Sequence, residues 1–177
     1  YLYDTQPDSL MHTIGSHPKE VTDKIKEIND WLEEISKELK DTLIIVTADH
    51  GHLDVTPRYL SDHPVLEKMM LRPTSIESRA CVFHVKPEYK HLFKEEFERS
   101  FSKDEFILYS SEEVKQMNLF GTGQSREGFD DSIGDFIAIA ISDKMINDSP
   151  ESFLLKSHHA GLTDAEMRIP LILIDCK

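Results

Sequence analysis

The 177-residue chain is short of positive charge, of cysteine and of long apolar runs, and each shortage closes off a class of function. Lys and Arg total 20 against 33 Asp and Glu, a formal charge of −13. Neutralising a phosphate backbone needs clustered cations, so nucleic acid held by charge alone is excluded, as is a basic helix lying on a membrane. The longest apolar runs, Leu43–Val46 and Ile169–Ile174, are too short to span a bilayer. The two cysteines, Cys81 and Cys176, lie in apolar stretches and read as small core residues, not as a disulfide framework. Gly121-Thr122-Gly123 has no Lys-Ser/Thr after it and is too sparse for a phosphate loop. No signal-like apolar segment follows Tyr1, which leaves the compartment open with the cytoplasm slightly favoured. What remains is 39% hydrophobic and 30% charged, enough for a packed core.

The clearest element is a helix. Val21, Ile25, Ile28, Leu32, Ile35 and Leu39 are spaced by three and four and form one apolar stripe. Pro18 suits the first turn, and Lys37 and Lys40 suit the negative end of the helix dipole. Asp41 breaks the pattern, and Leu43-Ile44-Ile45-Val46 reads as a strand buried on both faces, so helix and strand make half of an α/β unit. Further along, Pro57, Pro64 and Pro73 punctuate a stretch with at most a short helix at 65–70. Strands are expected at 80–85, 106–109, 135–141 and 170–174, and a serine-capped short helix at 111–117. A helix opened by Pro87 carries Tyr89, Leu92, Phe93 and Phe97. Residues 73–109 are a candidate for a small inserted lobe.

Three clusters carry chemistry. In Asp8-Ser9-Leu10-Met11-His12, one turn of helix puts an oxygen and a nitrogen donor on the same face, which suits a transition metal; solvated Asp/His pairs at this spacing are also common. Asp49-His50-Gly51 follows the buried strand directly, where open α/β sheets collect their ligands, although Asp49 as a helix cap is a bland alternative. The third is Ser157-His158-His159-Ala160-Gly161-Leu162, where one histidine of the pair is a ligand or both are surface residues. His52 reads first as a loop histidine, with a place lining the pocket as the less favoured alternative, and His17, His63, His84 and His91 as surface or edge residues.

In this order, Asp8-x-x-x-His12, strand-Asp49-His50-Gly51 and His159-x-Gly161-Leu162 with Glu166 and Pro170-Leu171-Ile172 resemble the alkaline phosphatase superfamily, and within it the type I phosphodiesterase/nucleotide pyrophosphatase family. The resemblance implies an α/β fold with a central, mostly parallel sheet flanked by helices. It implies two divalent metal ions, zinc in the family. One would be held by Asp8, His12 and His159, the other by Asp49, His50 and an aspartate that this sequence lacks. His159 is preferred to His158 because His159-Ala160-Gly161-Leu162 matches the family's H-G-G-L, with alanine for its first glycine. The family's Thr or Ser nucleophile also has no match, so residues 1–177 are expected to be the C-terminal part of a catalytic domain, with the nucleophile upstream of Tyr1 and no turnover by this part alone. The implied function is metal-dependent hydrolysis of phosphodiester or pyrophosphate bonds in a small phosphorylated or nucleotide-like substrate. The competing expectation is a non-catalytic, metal-stabilised binding module.

Overall fold

The computed structural model describes residues 1–152 and 154–177. In chain order the regular elements are α1 (Asp8–Ile14), α2 (Lys19–Glu38), β1 (Thr42–Thr47), β2 (Leu53–Asp54), β3 (Thr56–Tyr59), α3 (Pro64–Met69), β4 (Ser75–Glu77), β5 (Ala80–Phe83), α4 (Lys90–Ser100), β6 (Phe106–Ser110) and α5 (Ser111–Gln116). They continue with α6 (Phe129–Ile133), β7 (Phe136–Ala140), β8 (Lys144–Asn147), β9 (Ser157–His158), α7 (Asp164–Met167) and β10 (Leu171–Cys176). Single-turn 3₁₀ helices at Leu60–Asp62 and Pro87–Tyr89 precede α3 and α4. The chain divides into two compact units, the first of Tyr1–Val55, Leu155–His159 and Asp164–Lys177, the second of Thr56–Leu154 and Ala160–Thr163.

In the first unit α2 follows its apolar stripe, with Val21 buried and Ile28, Leu32, Ile35 and Leu39 half-buried, while Ile25 is exposed. Its outer face is tied by i,i+4 ion pairs such as Lys19–Asp23 and Lys37–Glu33, each worth a few tenths of a kcal/mol. The helix feeds β1, which pairs antiparallel with β10 in the register Ile45↔Leu173. Burial alternates along β1, so the expectation of a strand buried on both faces does not hold. Ile44, Val46 and Ile174 are half-buried, whereas Leu43, Ile45, Leu171 and Leu173 are 57–70% exposed. The apolar run predicts cover on both faces, and among the described residues only one face of β1 is covered.

The second unit carries the larger core. Its antiparallel sheet has the order β4-β5-β7-β6. Phe136-Ile137-Ala138-Ile139-Ala140 explains its two sides: Ile137 and Ile139 join Val82, Val114 and Ile133, while Ala138 and Ala140 leave room for the aromatic cluster of Phe83, Phe93, Phe97, Phe101 and Phe106. The helix after β6 is held by a capping box, with Ser110 as its cap, one residue before the serine the sequence pointed to. Arg79, fully buried, donates to the carbonyls of Ser142 and Lys144 at 2.8 and 2.5 Å and so fixes the β7–β8 turn.

The architecture is mixed α/β, but the expected central, mostly parallel sheet is not what the described residues form. They form four small sheets, and only β3 with β8 pairs parallel. The β1–β10 ladder is antiparallel, and no third described strand borders it. Both cysteines are free and buried. His84 is a correction: it is buried, and Arg72 Nη2 donates to its Nε2 at 2.8 Å. Burial, and then the adjacent guanidinium, lower its pKa and keep its ring neutral. Among the described residues no helix is long and apolar enough to cross a membrane.

Candidate metal centre

All of the histidines that gather into one cluster belong to the first unit, and three short segments deliver them. One turn of α1 presents Asp8 and His12 together, with His12 Nε2 3.4 Å from Asp8 Oδ1. The loop that leaves β1 supplies Asp49, His50 and His52 before β2 begins. The two-residue strand β9 pairs with β2 in the register Leu53↔His158 and Asp54↔Ser157, which carries His159 to the same place.

Gly51 is required by space. A Cβ there would lie 2.0 Å from the Ala165 carbonyl oxygen, and its N–H donates to the Glu166 carbonyl at 2.8 Å. The glycine in Asp49-His50-Gly51 therefore lets the loop touch the backbone of α7 and does not serve a left-handed turn.

Asp8 Oδ1 is the centre of the cluster. His52 Nε2 lies 2.7 Å away, His50 Nε2 3.9 Å and His159 Nε2 4.0 Å. Donor atoms of Asp8, His12, His52 and His159 all fall within 4.8 Å of one another, a group able to hold a metal ion. The rings are closely packed: His50 stacks on His159, and His12 meets His52 edge to face with centroids 4.6 Å apart.

Hydrogen bonds decide which ring nitrogens are free. His12 Nδ1 donates to the Ser157 carbonyl at 2.8 Å and His50 Nδ1 to the Gly51 carbonyl at 3.1 Å. A carbonyl only accepts, so each ring donates from Nδ1, and in a neutral ring that leaves on Nε2 the lone pair a metal ligand needs. His158 differs, because its ring is outside the donor group; its Nδ1 meets both the N–H and the carbonyl of His159, at 2.8 and 3.1 Å.

Charge follows the same plan. Burial works to raise the Asp8 carboxyl, but the His52 hydrogen bond and the imidazoles of His12 and His159 outweigh it and leave it below the usual carboxylate value. Burial lowers His52, partly offset by Asp8. Burial and then the neighbouring rings, His50 first, bring His159 down to about 4. At neutral pH the cluster is thus one carboxylate with neutral His52 and His159 beside it. Imidazole nitrogen and carboxylate oxygen donors together fit zinc or a similar borderline ion.

The sequence model for "Type I phosphodiesterase / nucleotide pyrophosphatase" matches residues 1–159, which contain every member of this cluster. The chain belongs to that family. Solved structures agree in fold: human ectonucleotide pyrophosphatase/phosphodiesterase 5 superposes with a TM-score of 0.72 at 16% identity, over 96% of this chain and 45% of that one. The murine protein gives 0.69 at 17% identity with the same coverages, and so does an inactive form of it in complex with AMP. The chain thus spans somewhat less than half the length of these neighbours. No curated protein matches it.

For this phosphodiesterase-family chain, the structure brings Asp8, His12 and His159 together, and adds His50, whose ring lies on His159. Asp49 is more exposed and stays beside His50, with Oδ1 3.7 Å from its Nε2. It also faces Tyr3, and its charge is the main cause that raises the Tyr3 phenol above its ordinary value. His52 is the residue that sequence reasoning under-weighted: it lies in the expected loop, and the less favoured of its two readings, at the pocket, is the one the structure bears out. Its side chain is 3% exposed and makes the shortest contact to Asp8. The available signal was its spacing, since a residue two after His50, beyond a glycine pressed on α7, returns to the same side of the loop. Ser157 stands in the third cluster with no role assigned to it from sequence.

Proposed function

We propose that this chain supplies the metal-holding part of a hydrolase for phosphodiester or pyrophosphate bonds, and that residues 1–177 are the C-terminal part of its catalytic domain with 73–109 as an inserted lobe. The observation that carries the reading is the convergence of one carboxylate and the Nε2 atoms of His12, His50 and His159 from three distant segments inside the family match. Asp8, His12 and His159 would hold one divalent ion, and Asp49 and His50 would contribute to a second, both zinc. Such ions, when bound, offset the charge that develops on phosphoryl oxygens and lower the pKa of an attacking hydroxyl.

The chain's own residues then have defined tasks. His12 and His50 keep their lone pairs aimed inward because carbonyls hold their Nδ1 protons. Asp8 stays ionised and limits the positive charge of the site. Neither nearby hydroxyl is a suitable nucleophile: Ser157 is fully buried and bonded to His52, and Asp49 holds the Tyr3 phenol in its protonated form. The Thr or Ser nucleophile that the family resemblance implies has no match among residues 1–177. The substrate class is nucleotide-like, a reading supported by the AMP complex of the murine neighbour. The net −13 is compatible with an anionic substrate, since the ions bring the positive charge locally.

The test is hydrolysis of bis(p-nitrophenyl) phosphate and of ADP, with and without added zinc, by this chain and by the uninterrupted reading frame that contains it. Zinc-dependent turnover by the longer protein, lost in His12→Ala and absent from residues 1–177, is the expected result. Zinc binding without turnover by the longer protein would instead establish a metal-stabilised binding module.

A further inference from the structure

Ser157 touches the cluster twice with different atoms. Its carbonyl oxygen accepts from His12 Nδ1 at 2.8 Å, and its hydroxyl lies 2.6 Å from His52 Nδ1. On the far side of that ring, His52 Nε2 is 2.7 Å from Asp8 Oδ1. Ser157 is fully buried, and β9 fixes its backbone by pairing it with Asp54 in β2.

The lengths distinguish ligands from supports. Two donors on one tetrahedral ion with bonds of about 2.0–2.1 Å stand about 3.3 Å apart. Asp8 and His12 are at 3.4 Å, close to that edge. The Asp8–His52 separation of 2.7 Å is instead a hydrogen-bond length, in which Nε2–H donates to the carboxylate. With its proton on Nε2, the neutral His52 ring has only a lone pair on Nδ1, and a donor must meet it there. The Ser157 hydroxyl is that donor.

We propose that Ser157 is a positioning residue for the metal centre: its carbonyl sets the tautomer of His12, and its hydroxyl sets that of His52, which in turn aims the Asp8 carboxylate. One residue of β9 thereby orients two rings, those of His12 and His52, that lie 145 and 105 positions away in sequence. The inference rests on the metal-holding reading of the cluster, and part of its test does not.

The experiment uses the 177-residue chain with Co²⁺ as probe, in wild type, Ser157→Ala, His52→Gln and the double variant. Ser157→Ala removes one oxygen only, and its melting curve reports whether the fold is kept. Loss of a group that orients a metal ligand typically weakens binding 10–100-fold. Ser157→Ala is expected to bind Co²⁺ at least about 10-fold more weakly, with the visible band of the bound ion unchanged, and the double variant is expected to be no weaker than His52→Gln alone. In the metal-free chain, long-range ¹H–¹⁵N spectra are expected to show His52 protonated on Nε2, and a mixture of tautomers in Ser157→Ala. Equal affinity in wild type and Ser157→Ala overturns the proposal, and so does a changed band, which would make Ser157 a ligand. A wild-type His52 protonated on Nδ1 overturns it independently of any metal. A wild-type chain that binds no Co²⁺ while showing the expected tautomer removes the metal reading, and the positioning role falls with it.

Discussion

The imidazole rings of His50 and His159 lie face to face, with centroids 3.6 Å apart and planes 16° from parallel. Two rings so placed tolerate two neutral imidazoles far better than two imidazoliums. The low His159 value, about 4, reflects burial first and this neighbour second.

A pH dependence follows. Folding lowers the His159 pKa from 6.5 to about 4, so between these values the unfolded chain binds the extra proton. The stabilisation is present above about pH 6.5 and is lost progressively as pH falls toward 4. The metal-free chain is expected to melt at lower temperature at pH 5 than at pH 7.5, and His159→Asn to flatten that slope. Asp8, held below its ordinary value, adds a further loss at more acidic pH. Thermal melts of both chains from pH 4.5 to 8 check this, and parallel slopes would contradict it.

Metal addition is expected to raise stability by mass action. A ligand at about 100 times its dissociation constant contributes about 2.7 kcal/mol, or about 5–10 °C of Tm for a domain of this size. Zinc should produce a shift of this order in wild type, EDTA should remove it, and His12→Ala should abolish it because His12 supplies a donor from the cluster. Differential scanning fluorimetry with a zinc titration reads all three.

Gly51→Ala should damage the site through the backbone. The new Cβ would meet the Ala165 carbonyl oxygen at 2.0 Å, so the His50–His52 loop must lift away from α7. The expected cost is about 2–4 kcal/mol, within the range for severe single substitutions, together with weakened zinc binding. Chemical denaturation and zinc titration of the variant test both effects.

Much of the fold was legible because its signals are local. The α2 stripe, the aliphatic run of β1 and the serine cap of α5, read one residue late, are each written within a few residues. Asp8, His12, Asp49, His50 and His159 were legible as a pattern of donors and not as a geometry, because their meeting depends on β9 pairing with β2 across about a hundred residues. His52 was misjudged for the same reason: only the tertiary structure shows that Asp8 faces it. Strand direction was illegible too, since Leu171–Cys176 has the same apolar composition whether it runs parallel or antiparallel to β1.

Ala160 offers a milder test. It follows His159, takes the place of a glycine in the family's pattern, and has φ of 80°, in the left-handed region. An L-residue with a Cβ pays about 1–2 kcal/mol there, partly offset for glycine by its freer unfolded chain. Ala160→Gly is expected to raise stability by about 0.5–1 kcal/mol, with Tm up by about 1–4 °C and zinc affinity undiminished.

The hydrogen bond from the Val55 N–H to the Lys156 carbonyl, 3.1 Å long, joins the points at which the chain departs from the first unit and returns to it. The cluster closes a loop there, since His12 and Ser157 are 145 positions apart. Closing so long a flexible loop carries an entropic penalty that grows as the logarithm of its length, and a folded second unit removes most of that freedom in advance. Metal affinity is then a gauge of how well residues far from any ligand are folded. Phe93→Ala, a cavity worth about 3–5 kcal/mol in the aromatic core, should weaken Co²⁺ binding wherever it populates an open second unit, although no donor atom has been touched.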